Sequence, residues 1–458
     1  MKYLATFFAL LLVLCGAGCS GSSNSFNAPS DFTVVSSATQ IKLKWKPVAA
    51  VIGYSIYRST ASGAVSSKIA LATELSATQY LDASALPGVS YFYQVVAVNS
   101  TGDSQASPEA QGLIKAAAPG STLVGGTVQG SALTLGNEVT TLAGSAAGFA
   151  DGTGTAALFR LPYGITTDGK NLYVADTVNH AIRQIVIGTG VVTTLAGSTS
   201  AVSGTADGTG SAARFNDPIG ITTDGTSLYV ADFSNHMIRR ILIATGEVTT
   251  VAGAATLGSA DGVGAVARFK NPEGITTDGT NLYVTDSGNH TIRKIVIASG
   301  AVTTLAGTGL AGAVDGAGTA ASFATPAGII TDGSKLYLTD SANHNIRQIV
   351  LASGAVSTLA GSVTSGSSDG TGSAARFNAP VGITSDGINL YVADSNNNLI
   401  RQVVIASGAV TTIAGSGTAG KNDGLGSAAT FSLPNGITTD GVSLFVTDLN
   451  FSLIRQIF

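Results

Sequence analysis

The chain has 458 residues, a net charge of −4 and only 11% charged residues, a composition that excludes a strongly basic surface for general attraction to nucleic acid. Its length allows two or more domains with hydrophobic cores of their own. The 58 glycines, with many Thr, Val and Ile residues, indicate short strands separated by frequent turns. We therefore expect an all-β protein.

The first residues, MKYLATFFALLLVLCGAGC, combine Lys2 with an apolar run from Leu4 to Leu14. This run is too short for a permanent transmembrane helix and is typical of a secretion signal. Because small residues at positions 16–18 directly precede Cys19, the segment resembles a bacterial lipoprotein signal. The resemblance implies removal of residues 1–18 and attachment of a lipid to Cys19. The alternative is an ordinary secretion signal with an unrelated cysteine.

Lipidation would make the protein a cell-envelope lipoprotein that meets the membrane through its N-terminal lipid. Ser20 follows Cys19, and by resemblance to enteric lipoproteins this favours the outer membrane, on its periplasmic or surface face. Residues 19–27 are polar and small and would form a flexible tether. Cys15 would leave with the signal, so the mature chain would hold no disulfide.

Residues 28–112 contain two runs that alternate in polarity, IKLKW and YFYQVVAVN, punctuated by Pro, Gly and Asn. This stretch resembles a fibronectin type III domain, which implies a β-sandwich. The resemblance places Trp45 in the core and makes Tyr91, which follows Leu86-Pro87-Gly88, the tyrosine corner. Domains of this kind commonly act as spacers, and we expect that role here.

A Gly/Ala/Ser/Thr-rich connector at 113–137 leads into repeats that occupy residues 138–458. Each repeat follows PxGITTDGxxLYVADxxNHxIRxIxxxxGxVTTLAG and then GxxDGxGxxAxF. Four strand-like runs in a repeat of this length predict one propeller blade per repeat. The prolines that open the repeats are Pro162, Pro218, Pro272, Pro326, Pro380 and Pro434.

The pattern YVADxxNHxIR resembles the NHL repeat, and it recurs in recognisable form six times. The resemblance implies a six-bladed β-propeller. Departures from the pattern are Asn398 and Ser452 in place of histidine, and Phe451 in place of asparagine.

The last repeat lacks its VTTLAG strand, and a spare copy, Val139 to Gly144, precedes the first repeat. The two ends of the repeat region meet in a ring. We therefore predict that residues 139–144 supply the fourth strand of the blade that ends at Phe458, which would leave no unpaired edge at the junction.

Polar residues that recur in every blade are more simply structural than catalytic, since an active site usually occurs once. We expect the Asp at the end of the second strand and the Arg in the third to make hydrogen bonds across the turn. Histidines recur in only four blades, and sheets about 10 Å apart would keep them from one metal ion. The DGxG loops offer one carboxylate each and are interpreted as tight turns rather than calcium sites.

The residue inside each PxG differs from blade to blade, although its neighbours recur. It should open the innermost strand at the mouth of the central channel, on the same face as the variable pair after YVAD and opposite the DG turns. Variation on a constant scaffold is how binding faces are usually built, and random drift is the alternative. The candidate ligand-facing residues are Tyr163, Ile219, Glu273, Ala327, Val381 and Asn435.

These patterns favour a non-catalytic binding scaffold for a protein, peptide or glycan, and we expect a monomer without cofactor, metal or catalytic residues. The alternative is a propeller enzyme, lactonase- or lyase-like, acting at the channel mouth. Only Glu273 is acidic among the PxG residues, which disfavours that alternative. Nucleic-acid binding is disfavoured because residues 138–458 hold 16 Lys and Arg against 22 Asp and Glu.

Overall fold

The computed structural model describes residues 27–36, 41–63, 68–82, 84–85, 89–113 and 132–458. Cys19, the predicted signal at 1–18, most of the predicted tether and Leu86-Pro87-Gly88 lie outside the described residues. Within the described ranges, helices are too short or too polar to cross a lipid bilayer.

The N-terminal domain contains two β-sheets, as the alternating pattern of its sequence predicts. The strands of the first sheet are Thr33–Ser36, Ile41–Lys44 and Gln79–Asp82. The strands of the second are Gly53–Ser59, Ile69–Leu75, Ser90–Asn99, Gly102–Asp103 and Ala110–Leu113.

Trp45 occupies the core of this domain and is only 3% exposed. Its ring meets that of Tyr54 edge-on, with the ring centroids 5.3 Å apart. The Tyr54 hydroxyl in turn accepts a hydrogen bond from the Val48 N–H at 2.8 Å. Tyr91 is also buried. The core position implied for Trp45 is confirmed, and the tyrosine-corner role of Tyr91 stays a prediction.

Residues 138–458 form six sheets, one per repeat, and each sheet has five strands. The inner strands are Pro162–Thr167, Pro218–Thr223, Pro272–Thr277, Pro326–Thr331, Pro380–Ser385 and Pro434–Thr439. The second strands are Asn171–Asp176, Ser227–Asp232, Asn281–Asp286, Lys335–Asp340, Asn389–Asp394 and Leu444–Asp448. The third strands are Ala181–Val186, Met237–Leu242, Thr291–Val296, Asn345–Val350, Leu399–Val404 and Leu453–Ile457.

The fourth, outer strands of the first five blades are Val191–Gly197, Glu247–Gly253, Ala301–Ala306, Ala355–Gly361 and Ala409–Ala414. Beyond them lies a strand that the sequence pattern did not predict, since the DGxG segments were interpreted as turns. These two-residue strands are Gly152–Thr153, Gly208–Thr209, Gly262–Val263, Gly316–Ala317, Gly370–Thr371 and Gly424–Leu425. A run of two residues is too short to show the alternation that identifies a strand.

Single turns of 3₁₀ helix punctuate the blades. One set follows the two-residue strands, at Gly154–Ala156, Gly210–Ala212, Gly264–Val266, Gly318–Ala320, Gly372–Ala374 and Gly426–Ala428. The other follows the second strands, at Thr177–Asn179, Phe233–Asn235, Ser287–Asn289, Ser341–Asn343 and Ser395–Asn397.

The outer strand of the sixth blade is Glu138–Ala143, which comes from the N-terminal side of the repeats. It pairs with the third strand of that blade, with Val139 opposite Ile457 and Ala143 opposite Ile454. Val139 is completely buried. The prediction that this segment closes the ring is therefore confirmed.

Residues just before the closing strand, expected to belong to the connector, also lie against the propeller. Leu133 and Leu135 pack on the apolar cluster shared by the fifth and sixth blades. The Leu133 N–H donates to the Asp386 carboxylate at 2.9 Å. The closing strand thus enters its sheet from a segment that is already docked.

The hydrophobic core lies between consecutive blades. Tyr173 and Ile182 of the first blade, for example, pack against Leu228 and Val230 of the second. Burying each such aliphatic side chain stabilises the fold by about 1.5–3 kcal/mol. Because every blade needs a neighbour on both sides, the stability of each depends on closure of the ring.

Within each blade the register places the PxG segment beside the end of the second strand. Pro162 pairs with Asp176 at one end of the hairpin, and Thr167 pairs with Leu172 at the other, next to the DG turn. We call the end that carries the PxG segments the PxG face. The predicted placement of the PxG and YVAD segments on one face, opposite the DG turns, is confirmed.

Candidate functional site

A buried ion pair accounts for the Asp and Arg that recur in every blade. In the first blade the Arg183 guanidinium donates to the Asp176 carboxylate at 2.7 Å, and neither side chain is exposed. Asp176 also accepts hydrogen bonds from the Arg160 N–H at 2.7 Å and the Asn179 side chain at 2.8 Å. The expected hydrogen bonding across the turn is present, and the direct ion pair adds to it.

The Asp of each DGxG segment holds the same arginine from its other side. Asp151 accepts from Arg183 at 2.7 Å, and it also accepts from the hydroxyl and backbone N–H of Thr194 on the outer strand. This aspartate ties three parts of the blade together and has a structural role. The Arg183 guanidinium also lies over the Phe159 ring, 5.1 Å from the ring centroid, in a cation–π contact.

The recurring histidines join one blade to the next. The Nδ1 atom of His180 accepts a hydrogen bond from the Asp217 N–H at 3.1 Å, and the equivalents at His236, His290 and His344 do the same. In the fifth blade the Oδ1 atom of Asn398 replaces Nδ1 and accepts from the Leu433 N–H at 3.0 Å. A role in blade assembly therefore explains both the histidines and the asparagine that departs from the pattern.

Glycine in the PxG segments is required by close approach of neighbouring blades. A Cβ atom at Gly274 would lie 2.1 Å from the Ala327 carbonyl oxygen, and one at Gly436 would lie 2.3 Å from that of Tyr163. The same relationship holds at the other four positions, so each PxG glycine faces the variable residue of the following blade. The six variable residues therefore form one ring, in the order Tyr163, Ile219, Glu273, Ala327, Val381 and Asn435.

Exposure differs around this ring. Four of its residues are partly exposed, namely Tyr163, Ile219, Glu273 and Val381. Ala327 and Asn435 are 1% and 5% exposed, so they offer much less surface to a ligand. The ring order makes Tyr163 and Asn435 neighbours across the closure and puts Glu273 opposite Asn435.

The three polar side chains of the ring influence one another. Burial raises the pKa of the Glu273 carboxyl to about 7, against a smaller lowering by a hydrogen bond with Ser287. The pKa of the Tyr163 phenol is also raised, first by burial and then by the nearby Glu273 carboxylate, while a hydrogen bond with Asn435 opposes the shift. The ring thus brings together a phenol, an amide and a carboxylate.

The variable pairs after YVAD contribute less to a binding face than the sequence suggests. The first residue of the pair has an assembly role in three blades, where the hydroxyl of Thr177, Ser287 or Ser395 donates to a proline carbonyl of the next blade. Thr177 and Ser395 make these bonds at 2.7 and 2.6 Å.

Another inter-blade contact was missed at the residue before the recurring aspartate. Thr285 and Thr447 donate to the carbonyl oxygens of Ala327 and Tyr163, both at 2.6 Å, and each also accepts from the PxG glycine of its own blade. The sequence does vary at this position, which is Ala in blades that read YVAD and Thr in the blade that reads YVTD. The exchange of Ala for Thr does not by itself indicate a contact, because the carbonyl oxygen that accepts from the threonine hydroxyl lies in the next blade.

Among the described residues, no three or more His, Cys, Asp or Glu side chains are grouped to hold a metal ion. The polar atoms at the PxG ring can instead donate and accept hydrogen bonds and carry one negative charge. This chemistry suits recognition of a polar ligand.

Comparison with known proteins gives one family match and several relatives. Residues 27–112 match the family model of the fibronectin type III domain. The chain is 31% identical over 337 residues to NHL repeat-containing protein 2 of Gallus gallus, and 31% identical over 314 residues to Protein SUPPRESSOR OF QUENCHING 1, chloroplastic, of Arabidopsis thaliana. Each match covers 64% of this chain but only 46% and 30% of the respective relative.

Residues 27–112 therefore form a fibronectin type III domain, and the chain is similar to NHL repeat-containing proteins. Two solved proteins of Bacteroides thetaiotaomicron share the fold along almost its whole length. One, of unknown function, has a TM-score of 0.55 at 19% identity and covers 94% of this chain and 99% of its own. The other, described as an auxiliary nutrient binding protein, has a TM-score of 0.54 at 17% identity and covers 95% and 98%.

The sixth blade lacks contacts that the other blades have. Phe451 stands where Asn179 bonds the recurring aspartate in the first blade, so Asp448 loses that donor, and its bond to Arg455 is 3.1 Å long. Ser452 stands where the other blades have an acceptor for the next blade.

The fibronectin type III domain has a cleft of its own, with a volume of about 240 Å³. Arg58 lies over the Tyr91 ring, 4.5 Å from its centroid, and both residues line the cleft together with Ile69 and Leu71. This cleft is a second surface that could bind a ligand, so an experiment that assigns binding to the propeller must also test the cleft.

Proposed function

We propose that this protein is a non-catalytic binding scaffold, in which the ring of PxG side chains holds a protein, peptide or glycan ligand and the fibronectin type III domain acts as a spacer. The observation that carries the proposal is the contrast at the ring. Its backbone is fixed by glycine-to-carbonyl contacts in all six blades, whereas its side chains differ in chemistry. The fold likeness to an auxiliary nutrient binding protein agrees with this class of role.

Binding to peptide and glycan arrays tests the proposal. The full chain should retain a defined set of ligands, and the double variant Tyr163→Ala/Glu273→Ala should lose them while melting close to the wild type. The Arg58→Ala variant, altered in the fibronectin type III cleft, should bind as the wild type does. If the double variant binds normally and Arg58→Ala does not, recognition belongs to the N-terminal domain and the proposal is wrong.

We also propose that Cys19 carries the lipid that anchors the protein, as a monomer, to the bacterial outer membrane. The support is the apolar run followed by Gly16-Ala17-Gly18 and Cys19. Mass spectrometry of the N-terminal peptide from the native host should show acyl chains on Cys19. An unmodified cysteine, or a mature chain that starts elsewhere, would contradict this assignment.

A further inference from the structure

Glu273 is the single ionisable carboxyl in the PxG ring, and its ring neighbours do not compensate its charge. Ile219 and Ala327 flank it, and Asn435 stands opposite. None of the six ring positions holds Lys, Arg or His. Among the described residues, no basic side chain forms an ion pair with this carboxylate or shifts its pKa.

The hydroxyl near Glu273 cannot satisfy it fully. Ser287 is 3% exposed; its hydroxyl donates to the Pro326 carbonyl oxygen and lies close enough to the Glu273 carboxyl to lower its pKa. A serine hydroxyl has one hydrogen to donate, and a carbonyl can only accept it. Whenever Ser287 donates to Pro326, the carboxylate loses its donor. Partial removal from water without a counter-charge is unfavourable for a carboxylate such as the partly exposed Glu273.

The rest of the ring matches a particular shape of ligand. Ile219 and Val381 supply partly exposed aliphatic surface, and Tyr163 adds a partly exposed aromatic ring, a group that attracts cations. A lysine or arginine side chain has an aliphatic stem and a cationic head with several N–H donors. A neutral sugar lacks both the stem and the charge.

We propose that the ligand held at the PxG ring is a peptide segment that inserts a lysine or arginine side chain, with its cationic head on Glu273 and its stem against Ile219 and Val381. This inference rests on the proposed binding function and specifies its ligand. The ligand supplies the counter-charge and the hydrogen-bond donors that the fold leaves out. Electrostatic complementarity of this kind confers specificity as well as affinity.

Two labelled peptides separate charge from shape. Acetyl-Gly-Gly-Arg-Gly-Gly-amide carries a guanidinium, and its citrulline counterpart is nearly the same shape but neutral. Titrated into the full chain at pH 8, the arginine peptide should bind about tenfold or more tightly than the citrulline peptide. This comparison uses the wild-type protein and does not depend on any variant folding.

Glu273→Gln should abolish the preference for arginine, and Glu247→Gln, which removes an exposed carboxylate from an outer strand, should keep it. Equal binding of the two peptides, no binding of either, or a preference that survives Glu273→Gln would each overturn the inference. The peptide and glycan arrays test the proposed binding function separately from the identity of its ligand. A neutral ligand lost in the Tyr163→Ala/Glu273→Ala variant would preserve the binding function while refuting its cationic ligand.

Discussion

The Nδ1 atom of His236 in the second blade accepts a hydrogen bond from the backbone N–H of Asn271 in the third, at 3.2 Å. His236 itself has φ of 58°, in the left-handed region, where it ends a 3₁₀ turn. Few residues other than glycine tolerate this conformation, and Asn and His are among them. Two demands therefore meet at one position: a left-handed backbone and a side-chain acceptor that reaches the next blade. Histidine and asparagine satisfy both, which explains Asn398.

Replacing His236 tests this explanation. His236→Asn should retain the inter-blade acceptor and lower the free energy of unfolding by less than about 0.5 kcal/mol. His236→Ala removes the acceptor and should cost about 1–2 kcal/mol. Thermal or denaturant unfolding of the two variants provides the comparison. Equal stability of the Asn and Ala variants would show that the hydrogen bond to Asn271 contributes nothing measurable.

A second prediction concerns the two aspartates that share Arg293 in the third blade. Asp286 is fully buried and accepts from the guanidinium at 2.7 Å, whereas the Asp261 side chain is 49% exposed and accepts at 2.8 Å. Asp286→Asn should cost about 3–5 kcal/mol because it removes the buried counter-charge of the guanidinium and leaves Arg293 only the half-exposed Asp261. Asp261→Asn should cost about 1 kcal/mol, since water can replace it.

Chemical denaturation at neutral pH measures both variants. They are matched because each removes one carboxylate from the same arginine. Similar losses of stability would contradict the view that burial, rather than contact alone, makes the Asp286–Arg293 pair important.

Sequence alone was sufficient to predict the blades, because a period of 54 residues repeats a strong hydrophobic alternation. It was also sufficient for the closing strand, because a displaced copy of a motif can be counted. Contacts between blades could not be predicted. The partners of His236 and Thr285 lie in the next blade, 35 and 42 residues away, and the alternation of a strand carries no information about which distant carbonyl or N–H its polar side chains reach.

At the candidate site, the sequence identified the six variable positions but not their exposure. Ala327 and Asn435 look equivalent to Tyr163 in the repeat pattern, yet both are almost covered. The proximity of Glu273 to Ser287 is likewise a property of the folded hairpin. These facts, rather than the motif, determine which ring residues a ligand can meet.

A third prediction follows from the closing strand. Deleting residues 1–145 removes Glu138–Ala143, so the third strand of the sixth blade becomes an exposed edge and Val139 no longer fills the core. We expect this deletion to lower the melting temperature severely or to prevent folding. Deleting only residues 1–131 keeps both the strand and the docked Leu133 and Leu135, and should leave the propeller close to its original stability.

Calorimetry of the two truncated proteins distinguishes the outcomes. Adding the peptide EVTTLA in excess should partly restore the melting temperature of the shorter protein, because the strand pairs without a covalent link. If the two truncated proteins have the same melting temperature, the strand that pairs with Leu453–Ile457 contributes little to the stability of the ring.

The last prediction uses the pKa of Glu273, which burial raises to about 7. A carboxyl whose pKa is higher in the folded state binds protons more tightly there than in the unfolded chain, so the fold loses stability as pH rises from about 4.5 to about 7. Glu273→Gln removes this titration. Its melting temperature should exceed that of the wild type at pH 8, and the difference should shrink as pH falls below 5.

Glu247→Gln, which alters an exposed glutamate, is the matched control and should show no such pH-dependent difference. The same titration has the opposite effect on binding. Affinity for the arginine peptide should rise as pH increases through about 7, because the ionised carboxylate is the form that attracts the cation. If the affinity is constant from pH 5.5 to 8 while the pH-dependent difference in melting temperature is observed, Glu273 titrates but does not contact the ligand.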